Sequence, residues 1–282
     1  MIKKLLGAIA ITLLCTVSAG ADEAAKVTPA PDRINNLPAL QNGAKLFVNY
    51  CLSCHSAKSL RYNKLQELGI TEDDIKKNLL FTTDKIGDLM EIALTPEDAK
   101  NWFGTTPPDL SVIARAKSTT MGPSGVDYIY SFLRAYYRDN QRKTGWNNAV
   151  FPNTAMPHVL WQLQGPVEYT EVKTQPISND DGQTEWVRTK TTWDYNGFSE
   201  TSTETLANYR GSAKVENIFK PADPEKAAAF DNDVADLANF LGWMAEPNQL
   251  FRKRLGVWVL IFLGIFFVAA WRLNAAYWKH VK

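Results

Sequence analysis

The chain has 282 residues, three of them cysteine, and 31 Lys and Arg against 30 Asp and Glu. The charge is uneven. Residues 1–21 hold two lysines and residues 251–282 six basic side chains, with no acid in either, so residues 22–250 carry 23 basic and 30 acidic groups, a net of −7. That balance argues against a nucleic-acid partner and suits attraction of a basic soluble protein, an effect that salt weakens.

The N-terminus pairs Lys3 and Lys4 with an apolar run from Leu5 to Leu14 and the small-residue site Ala19-Gly20-Ala21. This is the pattern of a secretory signal peptide, residues 1–21, too short for a membrane span. Cys15 falls in the removed part. Next, LPALQNGAKLFVNYC places Leu40, Ala44, Phe47 and Val48 at helical spacing, predicting a helix that runs into Cys51.

The following stretch, CLSCH, sets Cys51, Cys54 and His55 in the C-x-x-C-H pattern. A disulfide across two residues would stabilise little. A thioredoxin-like pair wants a preceding strand, and a zinc site would need partners beyond His158 and His280, the remaining histidines. Covalent attachment of a haem meets every feature: two thiols for the two porphyrin vinyl groups, His55 as proximal iron ligand, and an exported chain.

SAKSLRYNKLQELGITEDDIKKNLLF is expected to be helical, and Met90 in GDLMEIAL to lie on an apolar helical stripe as core. TPEDAKNWFG reads as a helix capped by Thr95 with Pro96 at its first position. Pro107 and Pro108 make a stiff entry to a helix capped by Asp109 or Ser111. That helix bears Arg115 and Lys117, candidate partners for haem propionates or else solvated charges. GVDYIYSFLRAYYRD is an amphipathic helix with Tyr128, Phe132, Ala135 and Tyr136 on one face, read as core.

An electron-transfer haem wants a sixth ligand, and a Met thioether also raises its potential. Met244 closes a helix and reads as core, while Met121 is a loop candidate. Met156, in VFPNTAMPHVLW, leads because Pro152 and Pro157 stiffen its loop, with His158 as the rival ligand. Residues 167–198 alternate polar and apolar around SNDDG and predict a β-hairpin insert with its turn near Asn179 to Gly182. A last helix starts at Asp223-Pro224, runs to about Ala245, and is expected to pack against the helix before CLSCH. Residues 251–272 then form a transmembrane anchor in the lipid bilayer, uncharged from Leu255 to Trp271. Basic residues flank it on both sides, so the signal peptide sets the orientation: residues 22–250 exported, tail 273–282 cytoplasmic.

The set CLSCH, PPDLS at 107–111, GVDYIYSFLRAYY, AMPHVLW and a late helix leading into one C-terminal span resembles the cytochrome c1 family, the haem-c subunit of the ubiquinol–cytochrome c reductase (cytochrome bc1) complex, over roughly residues 30 to 282. The resemblance implies a mainly α, cytochrome-c-type haem domain with the hairpin insert and one C-terminal transmembrane helix. It implies one covalent haem c on Cys51 and Cys54, with His55 and Met156 as axial ligands. It implies an electron taken from the Rieske iron–sulfur protein and passed to a cytochrome c, a place beside cytochrome b, a dimeric complex, and a bacterial inner membrane with the haem domain on the periplasmic side. No catalysis is expected of the isolated chain. The family has an arginine at the second basic position after PPDLS; this chain has Lys117, a point charge rather than a fork. The alternatives are another membrane-anchored c-type cytochrome linked to an oxidase, a haem sensor or peroxidase with an open sixth site, and a dithiol oxidoreductase.

Overall fold

A computed structural model describes residues 27–178 and 184–280; the signal peptide and the hairpin turn at 179–183 lie outside the described residues. Helix α1 (Leu37–Leu46) begins where the Asn36 side chain accepts from the Ala39 N–H, and Pro38 fits its first turn. It does not run on as a regular helix. Phe47–Cys51 form one wider turn, in which the Leu52 N–H reaches the Phe47 carbonyl at 3.0 Å.

Strand β1 (Ala57–Arg61) follows, then a tight 3-10 stretch (Tyr62–Leu68) and helix α2 (Glu72–Asn78). The expected helix over this region is thus broken at its start. Lys58 and Ser59 give their backbone N–H groups to the 109–111 segment instead of to a helical turn. Met90 is core, fully buried, but sits in strand β2 (Leu89–Met90), opposite Ala57, rather than on a helix. Helix α3 (Pro96–Phe103) has the expected Thr95 cap and ends at Gly104, whose φ of 76° favours glycine.

Helix α4 (Ile113–Ala116) is a single turn without a side-chain cap; Asp109 and Ser111 are spent on β1. Helix α5 (Gly125–Arg134) opens with a capping box between Ser124 and Asp127. Its buried face is Ile129, Tyr130 and Leu133, whereas Tyr128 and Phe132 are half-buried, so the expected all-core aromatic face is only partly core. Tyr136 belongs to the next strand, β3 (Tyr136–Arg138), which pairs with β4 (Trp146–Asn148). After a short helix α6 (Trp161–Gln164), β5 (Val167–Ser178) and β6 (Thr184–Trp193) pair antiparallel. They are the middle of a larger unit: β7 (Ser199–Thr205) and β8 (Lys214–Pro221) complete a four-stranded sheet in the order β7-β6-β5-β8. About 44% of the described residues are helical and 20% are strand, so helix is joined by a substantial sheet.

Helix α7 (Pro224–Ala245) is the central pillar. It crosses α1 so closely that a Cβ on Gly43 would lie 2.4 Å from the Asp236 carbonyl oxygen and 2.6 Å from the Phe240 Cβ. Phe47 and Phe240 meet ring to ring at 5.6 Å. Leu40, Ala44, Phe47, Val234, Leu237, Ala238 and Phe240 are all essentially buried. Each large apolar side chain among them contributes about 1.5–3 kcal/mol. Arg134 clamps α5 to α7 through a two-pronged bond to Asp231, both contacts at 2.5 Å. Helix α8 (Gln249–Tyr277) leaves this body. At 29 residues and about 43 Å, it is the one helix among the described residues long and apolar enough to cross a membrane, and it is exposed along its length.

Candidate haem site

Three backbone segments converge on CLSCH. The wide turn carries Cys51 inward to 7% exposure, and the Cys54 and His55 N–H groups both return to the Cys51 carbonyl, at 3.1 and 2.9 Å. Cys54 is half-exposed, and the two thiols are unbridged. Burial, with Cys54 adding to it, pushes the Cys51 thiol up to about 12. As a free thiol it stays neutral at physiological pH and is a poor nucleophile. Among the described residues no group of three or more His, Cys, Asp or Glu is placed to hold a metal ion.

The 107–111 segment explains its own sequence. His55 Nδ1 lies 2.7 Å from the Pro108 carbonyl oxygen. A carbonyl only accepts, so Nδ1 carries the proton and Nε2 keeps its lone pair, the tautomer an iron ligand requires. Burial lowers the His55 pKa, which favours the neutral ring. The same strap is tied to β1 by Lys58 N–H to Asp109 Oδ2 (2.8 Å), Ser59 N–H to Ser111 Oγ (3.0 Å) and Leu110 N–H to the Ser56 carbonyl (2.9 Å). A cleft of about 350 Å³ opens beside Cys54, walled by Ser56, Ile92, Ala99 and Pro108.

Met156 is half-buried and packs against the same core that holds Cys51 and Leu52. The prolines flank its loop, but asparagines at the end of β4 do most of the holding. Asn148 Oδ1 accepts from the Val150 and Phe151 N–H groups at 2.9 and 3.0 Å, and Asn147 Oδ1 accepts from Asn153 at 2.9 Å. Asn153 takes the φ of +64° that the turn demands. Tyr136 donates its hydroxyl to the Met156 carbonyl at 3.1 Å. Sequence reading missed Tyr136, Asn147 and Asn148 as site residues; their signal was a polar Asn-Asn pair directly before the Met loop.

His158, the rival ligand, is 2% exposed and boxed in by Tyr136, Trp146 and Phe230. Burial lowers its pKa to about 4, so it is neutral. Met121 is 99% exposed in its loop, and Met244 is core. Arg115 and Lys117 are both exposed. The Lys117 Nζ lies 5.0 Å above the Tyr128 ring, and Arg115, with the hydrogen-bonding Arg252, helps hold the Glu246 carboxyl below its usual range.

Two unbridged cysteines, an imidazole with its tautomer already set and a tethered thioether loop fit a covalently held haem. On a domain that ends in one long exposed apolar helix, they define a membrane-anchored cytochrome of the c type. A model of the Cytochrome C1 family matches residues 34–183 and 214–281. The chain is 38% identical to cytochrome c1 of Allochromatium vinosum over 86% of its own length and 84% of that protein's. It is 28% identical to cytochrome c1 of Rhodospirillum rubrum, covering 87% and 82%. A Nitrosomonas europaea protein named ammonia monooxygenase gamma subunit is 36% identical over 100% of this chain and 99% of its own. The chain belongs to the cytochrome c1 family. It is therefore the haem-carrying, electron-transfer subunit of a cytochrome bc1 complex, a redox subunit with one covalently bound haem c. A 27% identity to a Bradyrhizobium diazoefficiens protein named cytochrome b/c1, over 81% of this chain and 31% of that protein, agrees with a place beside cytochrome b.

Proposed function

We propose that Cys51 and Cys54 hold the haem by two thioether bonds and that His55 and Met156 are its axial ligands. An electron arrives from a Rieske iron–sulfur protein and leaves to a cytochrome c. The exported domain, residues 22–250, faces the periplasm of a bacterium, residues 251–272 cross the inner membrane once, and residues 273–282 lie in the cytoplasm. The complex is dimeric.

The observation that carries this reading is the short bond from His55 Nδ1 to the Pro108 carbonyl. It fixes an imidazole beside two cysteines in the state that ligates iron, before any cofactor is considered. When bound, haem c supplies a one-electron store at its iron. The chain's residues do the rest. The wide turn buries Cys51, the proline strap aims His55, and the asparagine-held loop presents Met156. A Met ligand favours the reduced state and blocks small ligands, as electron transfer demands. Arg115 and Lys117 remain the proposed propionate contacts, Lys117 as a point charge. The net acidity of residues 22–250 draws in a basic acceptor.

The test is purification of the C-terminally tagged chain from its own membranes in mild detergent. Cytochrome b and an iron–sulfur protein should accompany it, and the preparation should reduce soluble cytochrome c with quinol, faster at low salt. Purification with other subunits and without cytochrome b, as the name of the Nitrosomonas relative would suggest, overturns the assignment.

A further inference from the structure

The Met156 loop meets one side chain twice. Tyr136 donates its hydroxyl to the Met156 carbonyl at 3.1 Å. The ring of the same tyrosine lies flat against His158, two residues further on, with centroids 4.7 Å apart and planes 7° apart. The imidazole is itself pinned. Gln164 Nε2 points at the carbonyls of Arg134 and Tyr136, 3.4 Å from each, which turns its amide oxygen toward His158. His158 Nε2 lies 2.7 Å from that oxygen and therefore donates to it. Trp146 closes the edge of the imidazole at 5.0 Å, held from the other side by the Arg138 guanidinium 4.1 Å above its ring. His158 Nδ1 has no partner among the described residues, so the ring is anchored through one nitrogen and one face. Buried Tyr136 keeps its hydroxyl proton at every physiological pH, because burial pushes its pKa well up.

We propose that Tyr136 and His158 are positioning residues for the Met156 thioether, one ring holding the loop at the Met156 carbonyl and, by stacking, at His158. The proposal rests on Met156 being the sixth ligand. The geometry goes further than packing alone. The Met156 carbonyl and the His158 ring two residues on are both held by the same rigid aromatic, so the thioether has little freedom to swing away from an iron. Without the hydroxyl, the carbonyl loses its donor and the methionine gains alternative positions.

The experiment compares wild type, Tyr136→Phe, His158→Phe and Met156→Leu in the full complex in membranes. Covalent haem per chain, the Met–iron absorption band and the midpoint potential are measured in each. Both positioning variants should keep full haem loading. Tyr136→Phe should shift the balance from Met-bound toward Met-free iron by about tenfold, the order expected for one lost buried hydrogen bond. The potential should fall by as much as the loss is felt more in the reduced form, a tenfold difference between the two oxidation states being about 59 mV for a one-electron couple. His158→Phe, which keeps the stack but loses the tether to Gln164, should shift both readings in the same direction by less. A wild-type band and potential in both variants would overturn the proposal, as would loss of haem loading in Tyr136→Phe, which would mark a role in folding. Met156→Leu separates the two claims: a band that survives it removes Met156 as ligand, whatever the tyrosine does.

Discussion

The haem side of the molecule and the β5–β8 sheet are built on opposite plans. Around CLSCH, segments far apart in sequence are bound to one another by single specific contacts: His55 to Pro108, Lys58 to Asp109, Tyr136 to Met156. The sheet satisfies itself through its own ladder, and its contact with the body is a small cluster of Tyr137, Val167 and Tyr169 with Trp193 and Phe219 packed on it. Family similarity breaks inside the sheet and not on the haem side. The match stops at residue 183 and resumes at 214, so it omits β6 and β7. A cofactor site constrains many remote positions at once, whereas a self-paired hairpin is free to lengthen locally.

Three substitutions should sharpen this contrast. The largest effect is expected from Gly43→Ala, on the haem side. Its new Cβ would meet Asp236 backbone and Phe240, so α1 and α7 must separate. The cost is about 1–3 kcal/mol or more, and because α1 leads into the wide turn, both melting temperature and haem loading should drop. Normal loading and melting would show that the α1–α7 contact is slack.

Asp109→Asn should come next. Burial would raise the Asp109 pKa, but hydrogen bonds from Ser111 and from the Lys58 backbone, with the Lys58 charge, bring it below the usual carboxylate value. A folded pKa below the unfolded one means stability that is present above the unfolded value and lost as pH falls through the folded one. The wild type should therefore release its proline strap in acid, and Asp109→Asn should lose about 1 kcal/mol at neutral pH while showing a flatter acid response. Thermal melts followed by the Met–iron band from neutral pH downward would check this. Identical acid profiles would remove Asp109 from the clamp.

The smallest effect at the haem is expected from Trp193→Ala in the sheet. It deletes a stack on Tyr169 (5.3 Å) and a tilted ring contact with Tyr137 (5.0 Å), each worth about 0.5–1.5 kcal/mol. The sheet should loosen while spectrum and potential stay as in wild type. A shifted potential would mean that strain passes from Tyr137 to its neighbour Tyr136, and that the two regions are less separate than their bonding suggests.

Much of the haem side could be read in the sequence because its signals are local and carry chemistry. C-x-x-C-H has few uses, Thr95-Pro96 and Asp223-Pro224 are cap signatures, and both helices begin there. What escaped depends on remote partners. Residues 57–61 have no local feature that rejects a helix; they are a strand because residues 109–111 and β2 take their backbone groups. Asp109 and Ser111 resemble caps in isolation and act as tethers in the fold. β7 is exposed along its whole length and so lacks the apolar alternation that betrays a strand. The sequence offers only prolines to fix the Met156 loop, since the reach of Asn147, Asn148 and Tyr136 is visible only in three dimensions.

The central claim is that CLSCH anchors one haem through both cysteines. It is tested most directly by a pyridine haemochrome spectrum on denatured protein from wild type, Cys51→Ala, Cys54→Ala and the double variant. Colour should survive denaturation in the wild type, with the band of a two-thioether haem. Each single variant should shift that band toward a one-thioether form or lose haem, and the double variant should retain no covalent haem. Colour that washes out of the denatured wild type, or persists in the double variant, would contradict the account.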